Sequence, residues 1–248
     1  MPRYTAKNAD KYDLYQQAVQ CPEADVAFID RVYRRHYGRP PSLFREDFCG
    51  TALLACQWAK LRPTNEAYGV DLHQPTLDWG QTHNVSQLSA HAARRVQLLN
   101  GNVIRIRGRK VHVVGALNFS YFTFKERNEL VAYFRNVRRS LLTDGIFVLD
   151  AYGGYEAQQV MEEKTRHRGF TYVWDQAEYN PINDHARCHI HFKFPDGTML
   201  KNAFTYVWRL WTLGAIRDAR ADAGFRFSEV YWEGTTKGGK GTGVYRRQ

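Results

Sequence analysis

The sequence predicts an α/β fold: a mostly parallel sheet, interrupted late by an antiparallel unit. Three observations predict it. Between residues 43 and 152, five short apolar runs are interleaved with stretches of helical periodicity. Strands that alternate with helices are joined by crossovers, which makes them parallel. The fifth run, Ile146, Phe147, Val148 and Leu149, has no polar alternation, as in a strand buried on both faces. Beyond Gly153 and Gly154 the period becomes two: Cys188, Ile190, Phe192 and Phe194 alternate with His189, His191 and Lys193.

Residues 10–37 read as helical, because Tyr12, Tyr15, Val19, Val26, Ile29, Val32 and Tyr33 recur at helical steps. Pro22 divides this stretch and opens its second helix, and Pro40 and Pro41 end it. Residues 43–48 form a strand, 49–51 its turn and 52–61 a helix. A second strand over 67–72 ends in an acid, and 75–88 is helical. Strands follow at 96–99 and 111–117, then a long amphipathic helix over 125–142 and the fifth strand over 145–152. Residues 155–165 read as helix. Segments 170–179, 186–194 and 199–210 read as strands, with Pro195, Asp196 and Gly197 turning between two of them. A helix over 213–223 closes on Gly224. Residues 225–232 and 243–246 then pair as a hairpin that completes a seven-stranded sheet, and 234–243, all Gly, Lys and Thr, read as a mobile loop. The expected organisation is an N-terminal helical cap (1–40), a Rossmann-like core (41–153 with 212–248) and an inserted antiparallel lid (154–211).

Composition narrows the function. The net charge of +10 attracts anions. It is spread along the chain, densest at 34–39 and 105–110, so nucleic acid is a partner to consider but not the favoured one. The four cysteines, Cys21, Cys49, Cys56 and Cys188, form no CxxC pair, which speaks against a zinc or redox motif and fits reduced thiols of a cytoplasmic protein. No apolar stretch approaches about 18 residues, so no membrane span is expected. Residues 1–20 lack the apolar segment of a signal peptide. His185, His189 and His191 suggest a metal at first glance, but His189 and His191 share a strand face that reads as solvated, and no metal is expected.

The informative stretch runs from Arg45 to Ala52. Gly50 lies in the turn after the first strand, where a glycine lets the backbone approach a ligand. Asp71, twenty-one residues later, ends the second strand, where a carboxylate accepts hydrogen bonds from ribose hydroxyls. On these residues the chain resembles the class I S-adenosylmethionine-dependent methyltransferases, in particular small-molecule members with a β-rich insertion after the fifth strand. Glu46 takes the place of the acid in their first motif, Cys49, Gly50 and Thr51 the turn, and Asp71, followed by Leu72, the ribose-binding acid. Asn102, followed by Val103, matches the residue after the third strand that meets adenine. Asn118 to Tyr121 matches the segment that ends the fourth strand beside the transferred methyl, and residues 141–150 the helix-to-fifth-strand element. The resemblance covers roughly residues 40–152, and more loosely 206–246. It departs at Phe48 and Ala52, where the family has glycines, and at Asn102, where aspartate is common. The absence of an intact GxGxxG argues against a dinucleotide.

The resemblance implies S-adenosylmethionine as cofactor, S-adenosylhomocysteine as product, and in-line methyl transfer to a small-molecule acceptor. It implies cofactor contacts from Tyr15, Glu46, Phe48, Cys49, Gly50, Thr51, Asp71, Leu72, Asn102, Val103 and Asn118. The sulfonium is a cation that aromatic faces stabilise. Tyr12, Tyr15 and Tyr121 are candidate walls, with ordinary helix packing the alternative for the first two. Methyl transfer needs a base only when the acceptor is protonated. Asn118 and Tyr121 are the catalytic candidates, since Asn-x-x-Tyr resembles the Asn/Asp-Pro-Pro-aromatic motif of nucleobase-amine methyltransferases without its prolines. The alternative is a strand end with a buried tyrosine. Tyr12, Tyr152, Tyr206, Arg209 and Trp211 are acceptor-binding candidates. Arg209 either grips an anionic group as a fork or pairs with a structural acid. Three functions stay open: small-molecule methyl transfer, methylation of a nucleic-acid base amine, and non-catalytic S-adenosylmethionine binding, the last favoured by the missing glycines. A monomer and a homodimer both fit.

Overall fold

The computed structural model describes residues 4–236 and 241–248. Strands β1 (Leu43–Asp47), β2 (Glu66–Asp71), β3 (Val96–Asn100), β4 (Val111–Ala116) and β5 (Leu141–Leu149) form one sheet in the order β3-β2-β1-β4-β5. Every neighbouring pair is parallel. All five residues of β1 are buried, as its central place requires. Helices cover both faces. On one, α2 (Pro22–Tyr37) and α3 (Leu53–Leu61) pack Ile29, Tyr33 and Trp58 against Phe44 and Val113. On the other, α6 (Arg127–Ser140) and α7 (Leu213–Asp222) pack Tyr133, Phe134 and Ile216 against Val114. The remaining helices are α1 (Lys11–Val19), α4 (Gln74–His83) and the single turn α5 (Ala90–Ala93).

Local chemistry sets the helix ends. Pro22 stands in the first turn of α2, and Gly38 closes that helix at φ +68° with its N–H on the Arg34 carbonyl. Glu126 and Glu129 form a capping box on α6.

A four-stranded antiparallel sheet follows, in the order β6 (Met161–His167), β7 (Phe170–Asn180), β8 (His185–Lys193), β9 (Met199–Arg209). The helix expected over 155–165 is replaced by a short 3₁₀ turn, Glu156–Gln158, and by β6. Its residues are good helix formers, but β7 offers a full ladder of partners, and ladder pairing overrides local propensity. The exposed Glu162, Glu163, Lys164 and Arg166 suit an outer edge, where charge discourages further pairing. The period-two reading of β8 holds for Cys188, Ile190 and Phe192, which are buried. The facing histidines are not both solvated: His191 is buried, with Nε2 3.2 Å from Asp175 and Nδ1 accepting from the Asn202 N–H. Helix α1 packs on this sheet through Leu14, against Phe170, Ile190 and Phe192.

The parallel sheet has five strands where seven were expected. Strands β10 (Tyr231–Thr235) and β11 (Gly241–Arg247) pair with each other in a separate antiparallel ribbon. Part of the loop expected over 234–243 is taken up by these strands, and residues 237–240 lie outside the described residues.

Helix α4 approaches the turn after β1 so closely that a Cβ on Gly80 would lie 2.4 Å from the Thr51 carbonyl oxygen. Gly80→Ala is therefore expected to cost about 1–3 kcal/mol by overpacking. A chemical denaturation curve checks it; an unchanged midpoint would show that α4 shifts freely.

Candidate functional site

The turn after β1 is a sequence of left-handed residues. Phe48, Gly50 and Ala52 have φ of +58°, +51° and +57°. The conformation that glycines would adopt without cost is thus kept at all three positions, with strain at Phe48 and Ala52. A Cβ on Gly50 would meet only the Thr76 methyl, at 3.9 Å, so the protein leaves that side of the turn open. Asp71 fixes the turn from β2: Oδ2 accepts from the Gly50 N–H at 2.9 Å and Oδ1 from the His73 N–H at 2.8 Å. Each oxygen keeps one acceptor position. Leu72 follows as a highly exposed apolar residue.

Beneath the turn, the two faces of β1 carry different acids. Asp47 is buried and bound to Arg45: Nη2 donates to Oδ2 at 3.0 Å, and Nε approaches Oδ1 at 2.8 Å, an ion contact too bent to be a hydrogen bond. The Tyr133 hydroxyl also donates to Asp47, and Arg45 donates to Ser140. Glu46 points the other way and accepts from the Ala55 N–H at the start of α3. Burial, reinforced by Asp25, Asp71 and Asp47, pushes its carboxyl up to about 8.

Asp25, Glu46, Asp71 and Asp150 have no cation within ion-pair distance among the described residues. Burial pushes Asp150 up to about 7 and Asp25 up to about 6. Glu46 near the end of β1, Asp71 at the end of β2 and Asp150 just after β5 lie at the carboxyl ends of their strands, where open α/β sheets bind ligands. In a chain of net charge +10, four acids without a basic partner favour a cation brought from outside.

Helix α1 is tied to the turn by polar contacts. Gln16 donates to the Thr51 hydroxyl at 2.7 Å, and Tyr12 shares a hydrogen bond with Thr76. Tyr15 shares one with Tyr206 of β9; burial, and then the charges of Asp150 and Glu46, push its hydroxyl up to about 12. The structure thus brings Tyr12, Tyr15, Glu46, Gly50, Thr51 and Asp71 together, with Tyr206 meeting them from the antiparallel sheet. Tyr152 bonds Gln176 of β7 and packs 5.3 Å from Phe119, linking the end of β5 to that sheet.

Other sequence candidates lie elsewhere. Tyr121 is fully buried and its hydroxyl donates to the Asp150 carbonyl, so it is held within the core and presents no ring to a cleft. Cys49 is buried, and burial raises its thiol well above the ordinary value. The Phe48 ring turns toward Tyr133 and Phe124. Val103 is a core residue, while the Asn102 side-chain oxygen accepts from Ile104 and leaves its amide N–H groups for a ligand. Among the described residues Arg209 pairs with no acid: it stacks 4.1 Å from the Trp211 ring and donates to the Lys125 carbonyl. Trp211 is buried and donates to the Phe124 carbonyl. This pair therefore fastens the end of β9 to the loop before α6. Asn118 uses its backbone N–H on Asp150 at 2.8 Å. Among the described residues no cluster of three or more His, Cys, Asp or Glu could hold a metal.

Sequence reasoning passed over Gln16, Thr76 and Asp150. The first two carry no pattern of their own. Asp150 had a signal: it ends an apolar strand, as Asp71 does.

This arrangement is similar to solved methyltransferases across nearly the whole chain. Streptomyces venezuelae DesVI matches with a TM-score of 0.72 and 21% identity, over 96% of this chain and 97% of that one. A S-adenosylmethionine-bound amino pentose methyltransferase from Micromonospora echinaspora matches at 0.68 and 18%, over 93% and 94%. A S-adenosylmethionine-dependent methyltransferase from Clostridium acetobutylicum matches at 0.65 and 18%, over 86% and 85%. No protein-family model and no curated protein sequence matches. The chain has the fold of the class I S-adenosylmethionine-dependent methyltransferases, as the motif at Glu46, Gly50 and Asp71 led one to expect.

Proposed function

We propose that the protein is a S-adenosylmethionine-dependent methyltransferase acting on a small-molecule acceptor. The observation that carries this reading is the group of acids without basic partners at the open Gly50 turn. A cationic nucleoside fits such a site; an anionic dinucleotide does not. When bound, the cofactor supplies a methyl group on a positively charged sulfur. Asp71 receives the ribose hydroxyls on its free acceptor positions, Leu72 and the Asn102 amide border the adenine, and Glu46 holds positive charge. Residues 1–40 act as a cap, since α1 lies over the turn, and 154–211 as a lid bringing Tyr206 beside Tyr15. Structural neighbours solved with S-adenosylmethionine, including the glycopeptide N-methyltransferase MtfA, support the cofactor assignment. No described helix is long and apolar enough to cross a membrane.

The test follows from the raised carboxyls. Between their ordinary values and about 6 to 8, the folded protein binds more protons than the unfolded chain, so stability of the free protein falls as pH rises through that window. A cation favours the ionised acids, so its stabilising effect grows over the same window. Melting curves from about pH 5 to about pH 8 should show the free protein losing stability while S-adenosylmethionine opens a widening gap. The absence of any gap would refute the reading.

A second reading, methylation of a nucleobase amine, is favoured by the net charge and by a cavity of about 400 Å³ lined by Arg31, Arg35, Arg246 and Arg247. Phosphate contacts would give RNA binding a steep salt slope.

A further inference from the structure

We propose that the acceptor carries an amine, and that Asp150 grips it as the ammonium and takes its proton. This rests on the methyl-transfer reading and assigns its substrate class. Asp150 follows β5, two strands from Glu46 in the sheet order, or roughly 10 Å across it. Its carboxylate is held from below: Oδ2 accepts from the Asn118 N–H at 2.8 Å and Oδ1 from the Phe119 N–H at 2.9 Å, and its own backbone N–H also donates to it. Both Asn118 and Phe119 stand at φ +56°, a strained setting for non-glycine residues that costs about 1–3 kcal/mol each. The end of β4 is thus bent so that consecutive N–H groups fix one carboxylate. The carboxylate still has acceptor capacity for a ligand.

A second observation shows where that capacity leads. Asp150, Asn118, Phe119 and Tyr152 line a broad cleft of about 2110 Å³, wide enough for an acceptor much larger than its reacting group. The Phe119 and Tyr152 rings lie 5.3 Å apart beside the carboxylate, and Trp208 of the antiparallel sheet meets Phe119 edge-on. Aromatic faces hold alkylammonium groups, and go on holding them as methyls are added.

The charge next to Asp150 also points to an ammonium: Arg31, Arg138, Arg139, Arg217, Arg220 and Arg226 line the same cleft, but none pairs with this carboxylate. No Lys, Arg or His among the described residues lies within ion-pair distance of Asp150, although the chain has 35 Lys and Arg. The titratable groups that face it are Asp25 of α2, Tyr15 of α1, Tyr121, and Tyr245 of β11, all acids. An ammonium is no nucleophile until it loses a proton. One N–H proton passes to a free carboxylate position, giving a neutral amine and a neutral carboxylic acid with total charge unchanged; the nitrogen lone pair is then free for the methyl group. An alcohol gains far less, because a neutral hydroxyl pairs only weakly with a buried carboxylate.

The rival explanation is that Asp150 only latches residues 118 and 119. Calorimetry separates the two. The protein is saturated with S-adenosylhomocysteine at about pH 8 and titrated with cyclohexylammonium and with cyclohexanol, which has the same shape. The ammonium should bind at least about tenfold more tightly, and Asp150→Asn should erase that preference. In the wild type the preference should shrink toward about pH 5, as Asp150 becomes protonated. A latch would produce no preference and no such pH dependence. Equal affinities, no measurable ammonium binding, or a preference that survives Asp150→Asn would overturn the proposal. If the variant fails to fold, the wild-type pH series decides. Failure of the methyltransferase reading is seen separately, in the first titration, as an absence of S-adenosylhomocysteine binding.

Discussion

Replacing Asp71 with alanine is expected to weaken S-adenosylmethionine binding about 10- to 150-fold, that is by ~1.5–3 kcal/mol, the range for hydrogen bonds to a charged group. Two losses combine. The ribose hydroxyls lose their acceptor, and the Gly50 N–H loses the partner that fixes the turn. Asp71→Asn separates them: its single side-chain oxygen accepts from either Gly50 or His73, but without the charge, so it should fall between alanine and wild type. Titration calorimetry measures all three, with circular dichroism to confirm folding. Unchanged affinity in folded Asp71→Ala would remove β2 from the cofactor site and leave the Gly50–Asp71 bond as a structural feature only.

Asp47→Ala is expected to cost stability rather than binding. Arg45 and Asp47 are both buried, and removing the acid leaves a guanidinium with no counter-charge inside the sheet and Tyr133 without its acceptor. Breaking a buried pair from one side costs about 3–5 kcal/mol. For a chain of this size that lowers the melting temperature by about 6–20 °C. Replacing both partners, Arg45→Met with Asp47→Leu, should cost much less, because no charge is stranded. A double variant as unstable as Asp47→Ala would mean that the residues serve through their other hydrogen bonds and not through the pair. Since Asp47 faces away from Glu46, cofactor affinity in the surviving folded fraction should stay near wild type.

Asp71 was legible in the sequence and the role of Asp47 was not, and the difference is physical. A parallel strand, its turn and the acid ending the next strand follow one another in the chain, so spacing alone placed Gly50 opposite Asp71. The left-handed φ at Phe48 and Ala52 was hidden, because neither residue advertises it. What Arg45 and Asp47 meet depends on Tyr133 and Ser140, about ninety residues away.

The same division runs through the fold. Periodicity determined the five parallel strands, the two N-terminal helices broken at Pro22, and the alternation of β8, because burial on one face or two leaves its period in the chain. It could not determine what residues 155–165 would pair with. Their composition favours a helix, and only the free edge of β7 made them a strand. Nor could it determine where a cation ends: Arg209 read equally as a substrate clamp or as the partner of a structural acid, and the fold sets it on Trp211 and the Lys125 carbonyl. Tyr121 read equally as a wall or as a buried strand-end tyrosine, and its burial with the hydroxyl on the Asp150 backbone matches the second. By itself the sequence determined the five parallel strands and the turn at Gly50 that Asp71 faces, which rest on neighbours along the chain. Tertiary structure alone decided which acids lack a partner, because the partner of a buried charge is whatever the fold brings beside it.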